Sequence, residues 1–269
     1  GGGGHSREIM SRLGENGKLF AFDQDLDALK NAIDDERFTL INENFRFIKR
    51  FLRFHGIKQV DGILADLGVS SHQFDVAERG FSTRFDAELD MRMNQKGDIS
   101  AYHVVNEYDE QDIARVLFDY GELKNARAMA NIIVTARKDK EIRNSDELKK
   151  VLAKFLPGHK SNKILAQIYQ AIRIEVNQEM DVLKEFLEQS LEILKPGGRL
   201  SVISYHSLED RLVKRFVKNG MFEGEPERDF FGNFEVPFKT IEKLIVPSEE
   251  EIAINNRARS AKLRVAEKK

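Results

Sequence analysis

The sequence predicts an α/β fold, and two observations carry that prediction. Short apolar runs at residues 18–22, 38–41 and 60–67 are typical of buried strands, and helical patterns separate them. Strands joined by such helices form parallel sheets with right-handed crossovers. The same pattern returns after residue 178, where a helix again precedes a strand. We therefore expect an α/β sheet with helices packed against it.

Helical spacing of apolar residues marks three helices in the first third of the chain. In the second of them, Leu26, Leu29 and Ile33 share one face at helical spacing. In the third, Ile48, Phe51 and Leu52 are expected to point inward. The three predicted helices are residues 6–13, 25–33 and 45–55.

The middle of the chain contains no strand pattern. A long loop at residues 68–96 precedes a stretch, 98–177, in which every apolar stripe has helical spacing. We interpret residues 1–96 and 178–269 as a discontinuous core and residues 97–177 as an all-helical insert. The predicted helices of the insert are 109–120, 126–137, 146–155 and 163–176.

The last third resumes the α/β pattern. An amphipathic helix stops at the Pro-Gly-Gly sequence of residues 196–198, which predicts a sharp turn into the next strand. The predicted elements are helices at 179–194 and 208–217 and strands at 199–205, 239–246 and 260–267.

Composition excludes several classes of protein. Hydrophobic residues make up 41% and charged residues 33% of the chain, a balance typical of soluble globular proteins. There is no apolar run of the roughly 18 residues that a membrane span needs, and no secretory signal pattern. The absence of cysteine excludes disulfides, thiolate zinc sites and cysteine nucleophiles. We expect a cytoplasmic protein.

Basic residues are unevenly distributed. The formal net charge is −2, yet residues 124–173 hold 12 Lys/Arg against four acids, and residues 252–269 hold six against Glu267 alone. Such zones are typical of a polyanion-binding surface, or of ordinary solvated helix faces. The sequence leaves both interpretations open.

The strongest candidate for a ligand site is the glycine run at residues 1–4, just before the first helix. Glycines let the backbone approach a ligand, and Asp23 follows at the end of the next strand, where a carboxylate can accept both ribose hydroxyls of an adenosine cofactor. The alternative is a linker before an ordinary strand-end aspartate. The run does not complete G-x-G-x-x-G, because Ser6 or Arg7 stands at the last position, and this counts against NAD.

Three further side chains lie near predicted strand ends. Asp66 ends the third strand and is placed to meet a cofactor or a substrate amine, although it also suits a turn. Phe45 can pack on an adenine ring or serve as a core residue. His206 can reach an active cleft as a catalytic group, or be a partly buried polar residue, while Ser207 is a plausible N-cap. The six histidines form no metal-ligand pair, so no metal site is predicted.

The order of motifs resembles the MraW (RsmH) family of methyltransferases. The motifs are Gly-Gly-Gly-Gly-His-Ser-Arg (1–7), Ala-Phe-Asp-Gln-Asp (21–25), Asp-Gly-Ile-Leu-Ala-Asp-Leu-Gly-Val-Ser-Ser-His-Gln (61–73), Glu-Arg-Gly-Phe-Ser (78–82), Leu-Asp-Met-Arg-Met (89–93), His-Ser-Leu-Glu-Asp-Arg (206–211) and Asn-Arg-Ala-Arg-Ser-Ala-Lys-Leu-Arg-Val-Ala-Glu (256–267). The resemblance implies a Rossmann-like class I core that uses S-adenosylmethionine to methylate the exocyclic N4 of a cytidine in the decoding centre of 16S ribosomal RNA.

The resemblance also implies roles for matching residues. The helical insert would recognise RNA on the small-subunit particle, and a homodimer is one expected assembly. Family members carry a first core strand before the glycine loop, and here it is expected to be missing. The cofactor-binding residues implied are Gly3, Gly4, His5, Asp23, Phe45, Asp66 and Gln73.

The expected mechanism places Asp66, or a neighbouring backbone carbonyl, as the acceptor that orients the cytosine amino group. The loop at 68–93 would cover the site, and Phe81 and Tyr205 are candidates to stack on the base. Two alternatives are an NAD-dependent oxidoreductase and a non-catalytic ribosome-assembly factor.

Overall fold

The computed structural model describes residues 1–226, 230–231 and 235–269. The chain divides into two compact units. The first unit comprises Gly1–Asn42 and Val69–Glu179, and the second comprises Glu43–Gly68 and Met180–Lys269. Within the described ranges, no helix combines the length and apolar composition that crossing a membrane would require.

Most elements fall close to their predicted places. The strands are β1 (Leu19–Phe22), β2 (Phe38–Ile41), β3 (Val60–Asp66), β4 (Leu194–Ser204), β5 (Phe238–Ile245) and β6 (Lys262–Lys268). The helices are α1 (Gly4–Arg12), α2 (Ile48–Phe54), α3 (Ser71–Asp75), α4 (Ala101–Asn106), α5 (Glu110–Asp119), α6 (Ala126–Asp139), α7 (Ser145–Val151), α8 (Ser161–Asn177), α9 (Glu179–Ile193), α10 (Ser207–Asn219) and α11 (Glu249–Ile254). The α/β class predicted from the sequence is confirmed.

The first unit contains a two-stranded parallel sheet, in which Leu19 pairs with Phe38 and Phe22 with Ile41. Its helices α4–α8 enclose an apolar core. Among the described residues, the stretch from α4 to α8 contains no named strand, as the helical patterns predict. The assignment of residues 97–177 as a separate inserted domain stays a prediction. Core side chains that are completely buried include Val116, Leu117, Ala130, Leu148 and Ile168.

The second unit contains a four-stranded sheet in the order β3-β4-β6-β5. The β3–β4 pair is parallel, and the pairs of β6 with β4 and with β5 are antiparallel. The expected turn at residues 196–198 lies inside β4 as an irregularity. Val60 pairs with Leu194 but Gly62 pairs with Arg199, so the extra residues loop out, and Gly197 adopts φ +79°.

One predicted helix differs from the structure. Residues 25–33 contain a 3-10 helix, Leu26–Asn31, in place of an α-helix. Leu26 and Leu29 do share a face, as i and i+3 residues of a 3-10 turn must, but they are 41% and 44% exposed. Ala28 is buried instead. The shared face is therefore present, but on a 3-10 helix and largely exposed to solvent.

Candidate active site

The glycine run forms a tight turn at the start of α1. Gly3 has φ +73°, a conformation that only glycine adopts without strain. A Cβ atom on Gly3 would lie 2.8 Å from Nη1 of Arg7, whose guanidinium donates from both terminal nitrogens to the Gly2 carbonyl at 3.0 Å. The turn is therefore held by backbone geometry that a side chain at Gly3 would disrupt.

Two other glycines leave the surface of this turn open. A Cβ atom on Gly2 or Gly4 would meet no atom within 4 Å, so the backbone there can be approached closely by a ligand. His5, in the first turn of α1, is exposed. This open backbone fits the methionine end of S-adenosylmethionine, which carries charged amino and carboxylate groups and no pyrophosphate.

Asp23 lies beside the glycine turn, directly after β1. Its N–H donates to the carbonyl of Ile41 at 3.2 Å, and its own carbonyl accepts from Nδ2 of Asn42 at 2.9 Å. The Asp23 side chain is 20% exposed; Oδ1 accepts from the N–H of Asp25 at 2.9 Å, and Oδ2 accepts from the amino group of Gly1. A carboxylate oxygen can accept more than one hydrogen bond, so this fixed group suits a pair of ribose hydroxyls.

A buried polar cluster lies two residues beyond Asp23. Oδ2 of Asp25 accepts from Nη1 of Arg79 and from Nε2 of Gln73, both at 2.7 Å. All three side chains are about as buried as the apolar core, with Asp25 and Arg79 each 4% exposed. A charge so buried is tolerated only with a partner, and here each charge has one.

Gln73, an expected cofactor-binding residue, belongs to this cluster. Its Oε1 accepts from the N–H of Ser70 at 3.0 Å, while the Ser70 hydroxyl accepts from the N–H of Gln73 at 3.2 Å. This reciprocal arrangement is a capping box that starts α3. The structure therefore gives Gln73 a positioning role between α3 and Asp25, and its expected cofactor contact stays a prediction.

Arg79 also holds the irregular segment that follows α3. Its Nη2 donates to the carbonyls of Arg92 at 2.9 Å and Met93 at 3.2 Å. Close by, Gly80 has φ +70°, and a Cβ atom there would lie 2.5 Å from the carbonyl oxygen of Glu88. Arg79 therefore connects the end of β1, through Asp25, to residues 88–93.

Residues 89–93 contain no helix or strand, yet each backbone N–H is bonded. The acceptors include the carbonyl of Arg79 for Met91, at 3.1 Å, and Oδ1 of Asn177 for Met93, at 2.8 Å. Met91 is fully buried at φ +59°, and its carbonyl accepts from Nδ2 of Asn177 at 2.8 Å. The other three acceptors are the carbonyl of Arg143 for Leu89, the carbonyl of Glu88 for Asp90 and Oδ1 of Asp90 for Arg92.

The second unit brings Asp66 and Tyr205 together. Asp66 is the last residue of β3, and Tyr205 follows the neighbouring parallel strand β4, so both lie at the carboxyl edge of the sheet. The Tyr205 hydroxyl donates to Oδ1 of Asp66 at 3.0 Å. Burial raises the pKa of Tyr205, and the negative charge of Asp66 raises it further. Tyr205 therefore stays a protonated donor at neutral pH and orients an exposed carboxylate.

His206 is the N-cap of α10, a place expected for Ser207. Nδ1 of His206 accepts from the N–H of Glu209 at 3.5 Å, and the Glu209 carboxylate accepts from the N–H of His206 at 3.3 Å. The helix begins one residue earlier than a Ser207 cap would require, so Glu209, and not Asp210, occupies the third helical position. The Ser207 prediction is therefore wrong, and the catalytic role considered for His206 stays a prediction.

The aromatic candidates have different surroundings. Phe45 begins a 3-10 turn before α2 and packs edge-to-face on Phe186, with ring centroids 5.2 Å apart. Phe81 is buried in the apolar core of the first unit, so its ring could stack on a base only by leaving that core. Tyr205 is half-buried and is the better candidate of the two.

Comparison with known proteins places the chain in a family. A sequence model of the MraW methylase family matches residues 1–269. The chain belongs to the MraW methylase family. The glycine turn and Asp23 lie in one unit of the chain, and the Asp66–Tyr205 pair lies in the other.

Similar proteins cover the whole chain. A protein of Flavobacterium johnsoniae named ribosomal RNA small subunit methyltransferase H is 82% identical over 100% of this chain and 89% of its own length. A protein of the same name from Flavobacterium psychrophilum is 75% identical across 100% of this chain and 92% of its own length. One from Bacteroides thetaiotaomicron is 56% identical across 100% of this chain and 89% of its own length. Membership of this methylase family, and not of an NAD-dependent oxidoreductase family, accounts for the full set of motifs.

Two important residues were missed by sequence reasoning. Asp25 and Arg79 lie inside quoted motifs, but no role was assigned to either. Both residues stand next to other polar residues, Gln24 and Glu78, so nothing in the local sequence marks them as buried. A pairing over 54 positions leaves no periodic trace in one sequence.

Proposed function

We propose that this protein uses S-adenosylmethionine to methylate the exocyclic N4 of a cytidine in the decoding centre of 16S ribosomal RNA. One observation carries the proposal: a chain that matches a methylase family from end to end has its open glycine turn beside the Asp23 carboxylate. The names of the relatives support ribosomal RNA of the small subunit as the substrate. The N4 position and the decoding centre rest on the family resemblance.

The proposed cofactor site uses residues that suit its chemistry. Gly3, Gly4 and His5 would hold the methionine end, and Asp23 would accept the ribose hydroxyls. Bound S-adenosylmethionine supplies a methyl group activated on a sulfonium. The other residues proposed to contact the cofactor are Phe45, at the adenine ring, Asp66 and Gln73.

The proposed role of Asp66 is to orient the acceptor. The lone pair of the cytosine amino group is delocalised into the ring, so the nitrogen must be turned toward the methyl group. The Asp66 carboxylate would accept a hydrogen bond from an N4 hydrogen, and Tyr205 would hold that carboxylate in place. Orientation supplies most of the acceleration, because the N4 proton becomes acidic only after the methyl group has been transferred and then leaves to a nearby acceptor.

The proposed substrate is a small-subunit particle in the cytoplasm. The target base must be unpaired or turned out of its stack before it can reach the site. We propose that the helical residues 97–177 recognise the RNA, in agreement with the basic stretch at residues 124–173 within them. A homodimer is proposed as the assembly on the resemblance alone.

The test is methyl transfer to small-subunit particles whose decoding-centre RNA is unmethylated. Incubation with S-adenosylmethionine labelled in its methyl group should place one label on N4 of a cytidine, as read by nuclease digestion and mass spectrometry. Label on another atom or another RNA would contradict the proposed specificity. Particle binding without incorporation would contradict methyl transfer and indicate a non-catalytic assembly role.

A further inference from the structure

A long segment of the first unit contains no acidic residue. Between Glu147 and Glu175 the sequence has no Asp or Glu, yet it contains six Lys/Arg residues and His159. The segment runs from the end of α7 into α8. A polyanion approaching this segment would meet positive charges with no acidic side chain between them in the sequence.

The structure separates the basic residues that are already neutralised from those that are not. Arg137 donates to the carbonyls of Val105 at 2.7 Å and Tyr108 at 2.5 Å, so it is a structural residue. Four others form ion pairs within the first unit. These pairs are Lys140–Glu147, Arg143–Glu141, Lys149–Asp146 and Arg173–Glu179, at 2.5–3.1 Å.

Four lysines are different. Lys150 lies near the end of α7, Lys154 in the 3-10 turn after it, Lys160 directly before α8 and Lys163 in its first turn. All four are exposed, and within the described part of the chain none has a carboxylate within ion-pair distance. Lys154 lies over the ring of Phe155, with Nζ 5.0 Å from the centroid, which leaves its charge intact. We call these four residues the lysine surface.

We infer that the lysine surface contacts the phosphate backbone of the RNA substrate, an inference that rests on the proposed function. Unpaired ammonium groups release counterions when they meet phosphates, which gives strong, salt-dependent binding without reading the base sequence. All four residues are lysine, a compact point charge, and none is arginine, whose planar fork suits recognition of a base edge. The surface therefore positions the RNA and does not select the target base.

The alternative is an ordinary solvated helix face. The two interpretations differ in what the charges do to substrate affinity. A solvated face contributes nothing to KM or to the salt dependence of binding. A phosphate-contacting surface controls both, and it leaves turnover at saturating substrate unchanged because it does not touch the reacting atoms.

The experiment compares two variants of equal charge. The first carries Lys150→Gln, Lys154→Gln, Lys160→Gln and Lys163→Gln. The control carries Lys18→Gln, Lys58→Gln, Lys214→Gln and Lys218→Gln, at four exposed lysines elsewhere on the chain. Both are assayed with unmethylated small-subunit particles, with KM, kcat and the slope of log affinity against log salt as readouts.

The first variant should raise KM about tenfold or more and leave kcat unchanged. Each phosphate contact contributes about 0.7–0.9 to the slope of log affinity against log salt, so the loss of four contacts should lower that slope by about 3. The control should match the wild type. If the wild type methylates the particles but both variants show the same KM and the same salt slope, the inference is overturned. If the wild type does not methylate them, the proposed function is overturned instead. If the fourfold variant is unfolded by circular dichroism, the pairs Lys150→Gln/Lys154→Gln and Lys160→Gln/Lys163→Gln replace it, each with half the slope change.

Discussion

The guanidinium of Arg79 and the amide of Gln73 donate to the same carboxylate oxygen of Asp25, each at 2.7 Å. This oxygen is buried, and the backbone N–H of Asp25 donates to the Asp23 carboxylate. A residue of α3 and a residue of the segment that follows it therefore fix the strand end that is proposed to hold the ribose. Arg79 is a positioning residue for a site that it does not touch.

Arg79→Met should destabilise the protein by about 3–5 kcal/mol, because it leaves the Asp25 charge buried without its cationic partner. Guanidinium unfolding measures the change. Arg84→Met is the control, since Arg84 is 63% exposed and lies 3.6 Å from Asp75; it should cost less than about 1 kcal/mol. A loss of unfolding free energy in Arg79→Met as small as that in Arg84→Met would contradict the role assigned to the Asp25–Arg79 pair. The double variant Arg79→Met/Asp25→Leu should lose less than the sum of the two single changes.

Gly80→Ala tests the close approach between residues 80 and 88. Gly56 provides the control, because it has φ +75° but a Cβ atom there would meet nothing within 4 Å. Gly56→Ala should cost about 1–2 kcal/mol from the left-handed backbone alone. Gly80→Ala should cost about 1–3 kcal/mol more, since its Cβ would lie 2.5 Å from the Glu88 carbonyl. Equal losses in thermal unfolding would show that the backbone relaxes around the added methyl group.

Tyr205→Phe removes the hydroxyl that orients Asp66 and should lower kcat for methyl transfer with little change in KM. Asp66→Ala should lower kcat further, because the proposed acceptor itself is gone. Tyr108→Phe is a matched control, since the Tyr108 hydroxyl donates to Glu175 at 3.2 Å and burial raises its pKa to about 12. Asp66→Ala with near-normal turnover would contradict the role assigned to Asp66.

Asp23→Asn keeps an oxygen for the Asp25 N–H but removes the negative charge. A hydrogen bond to a charged group contributes about 1.5–3 kcal/mol, so affinity for S-adenosylhomocysteine should fall about 10- to 100-fold. Calorimetry measures the affinity, and the exposed Asp34→Asn is the control. Unchanged affinity for the Asp23 variant would place the ribose elsewhere.

The Asp35–Arg37 pair predicts a pH dependence. Hydrogen bonds from the Arg37 side chain and backbone lower the pKa of Asp35 from 3.8 to about 2. Arg37 also donates to the carbonyl of Leu13 at 3.2 Å, at the end of α1. A carboxyl whose pKa is lowered on folding stabilises the native state above its unfolded pKa, and that contribution is lost as the pH falls from about 3.8 toward 2. Carbon-13 NMR should show Asp35 titrating near 2, and the pKa should move back toward 3.8 in Arg37→Met, which removes the guanidinium but keeps the backbone N–H.

Local sequence patterns predicted where most helices and strands lie, but not which of their side chains are buried. Residues 38–41 were predicted as a strand and form β2 with the same bounds, because three apolar residues and the β-branched Thr39 favour a strand. Leu26 and Leu29 were predicted to share a face, and they do, but the spacing gave no information on their exposure of 41% and 44%. Periodicity shows which residues share a side, and only tertiary packing decides which side is covered.

The candidate site shows the same difference between what local patterns predict and what tertiary contacts decide. Asp23 and Asp66 were found because strand ends are readable from apolar runs, and the structure places both there. The Tyr205–Asp66 bond, the Asp25–Arg79 pair and the His206 cap depend on where distant chain segments meet, or on a helix start shifted by one residue. Single-sequence patterns do not carry that information.

The hydrogen-bonded amides of residues 89–93 determine whether this segment is ordered before or after a substrate binds. A segment without helix or strand usually exchanges its amide hydrogens within seconds. The N–H groups of Leu89, Met91 and Met93 are bonded to acceptors on distant residues, so they should exchange only when the surrounding structure opens. Protection comparable to that of α8 would show that this stretch is already fixed before a substrate arrives. A lid that closes over bound substrate would show the opposite, with rapid exchange in the free protein and slow exchange in the complex.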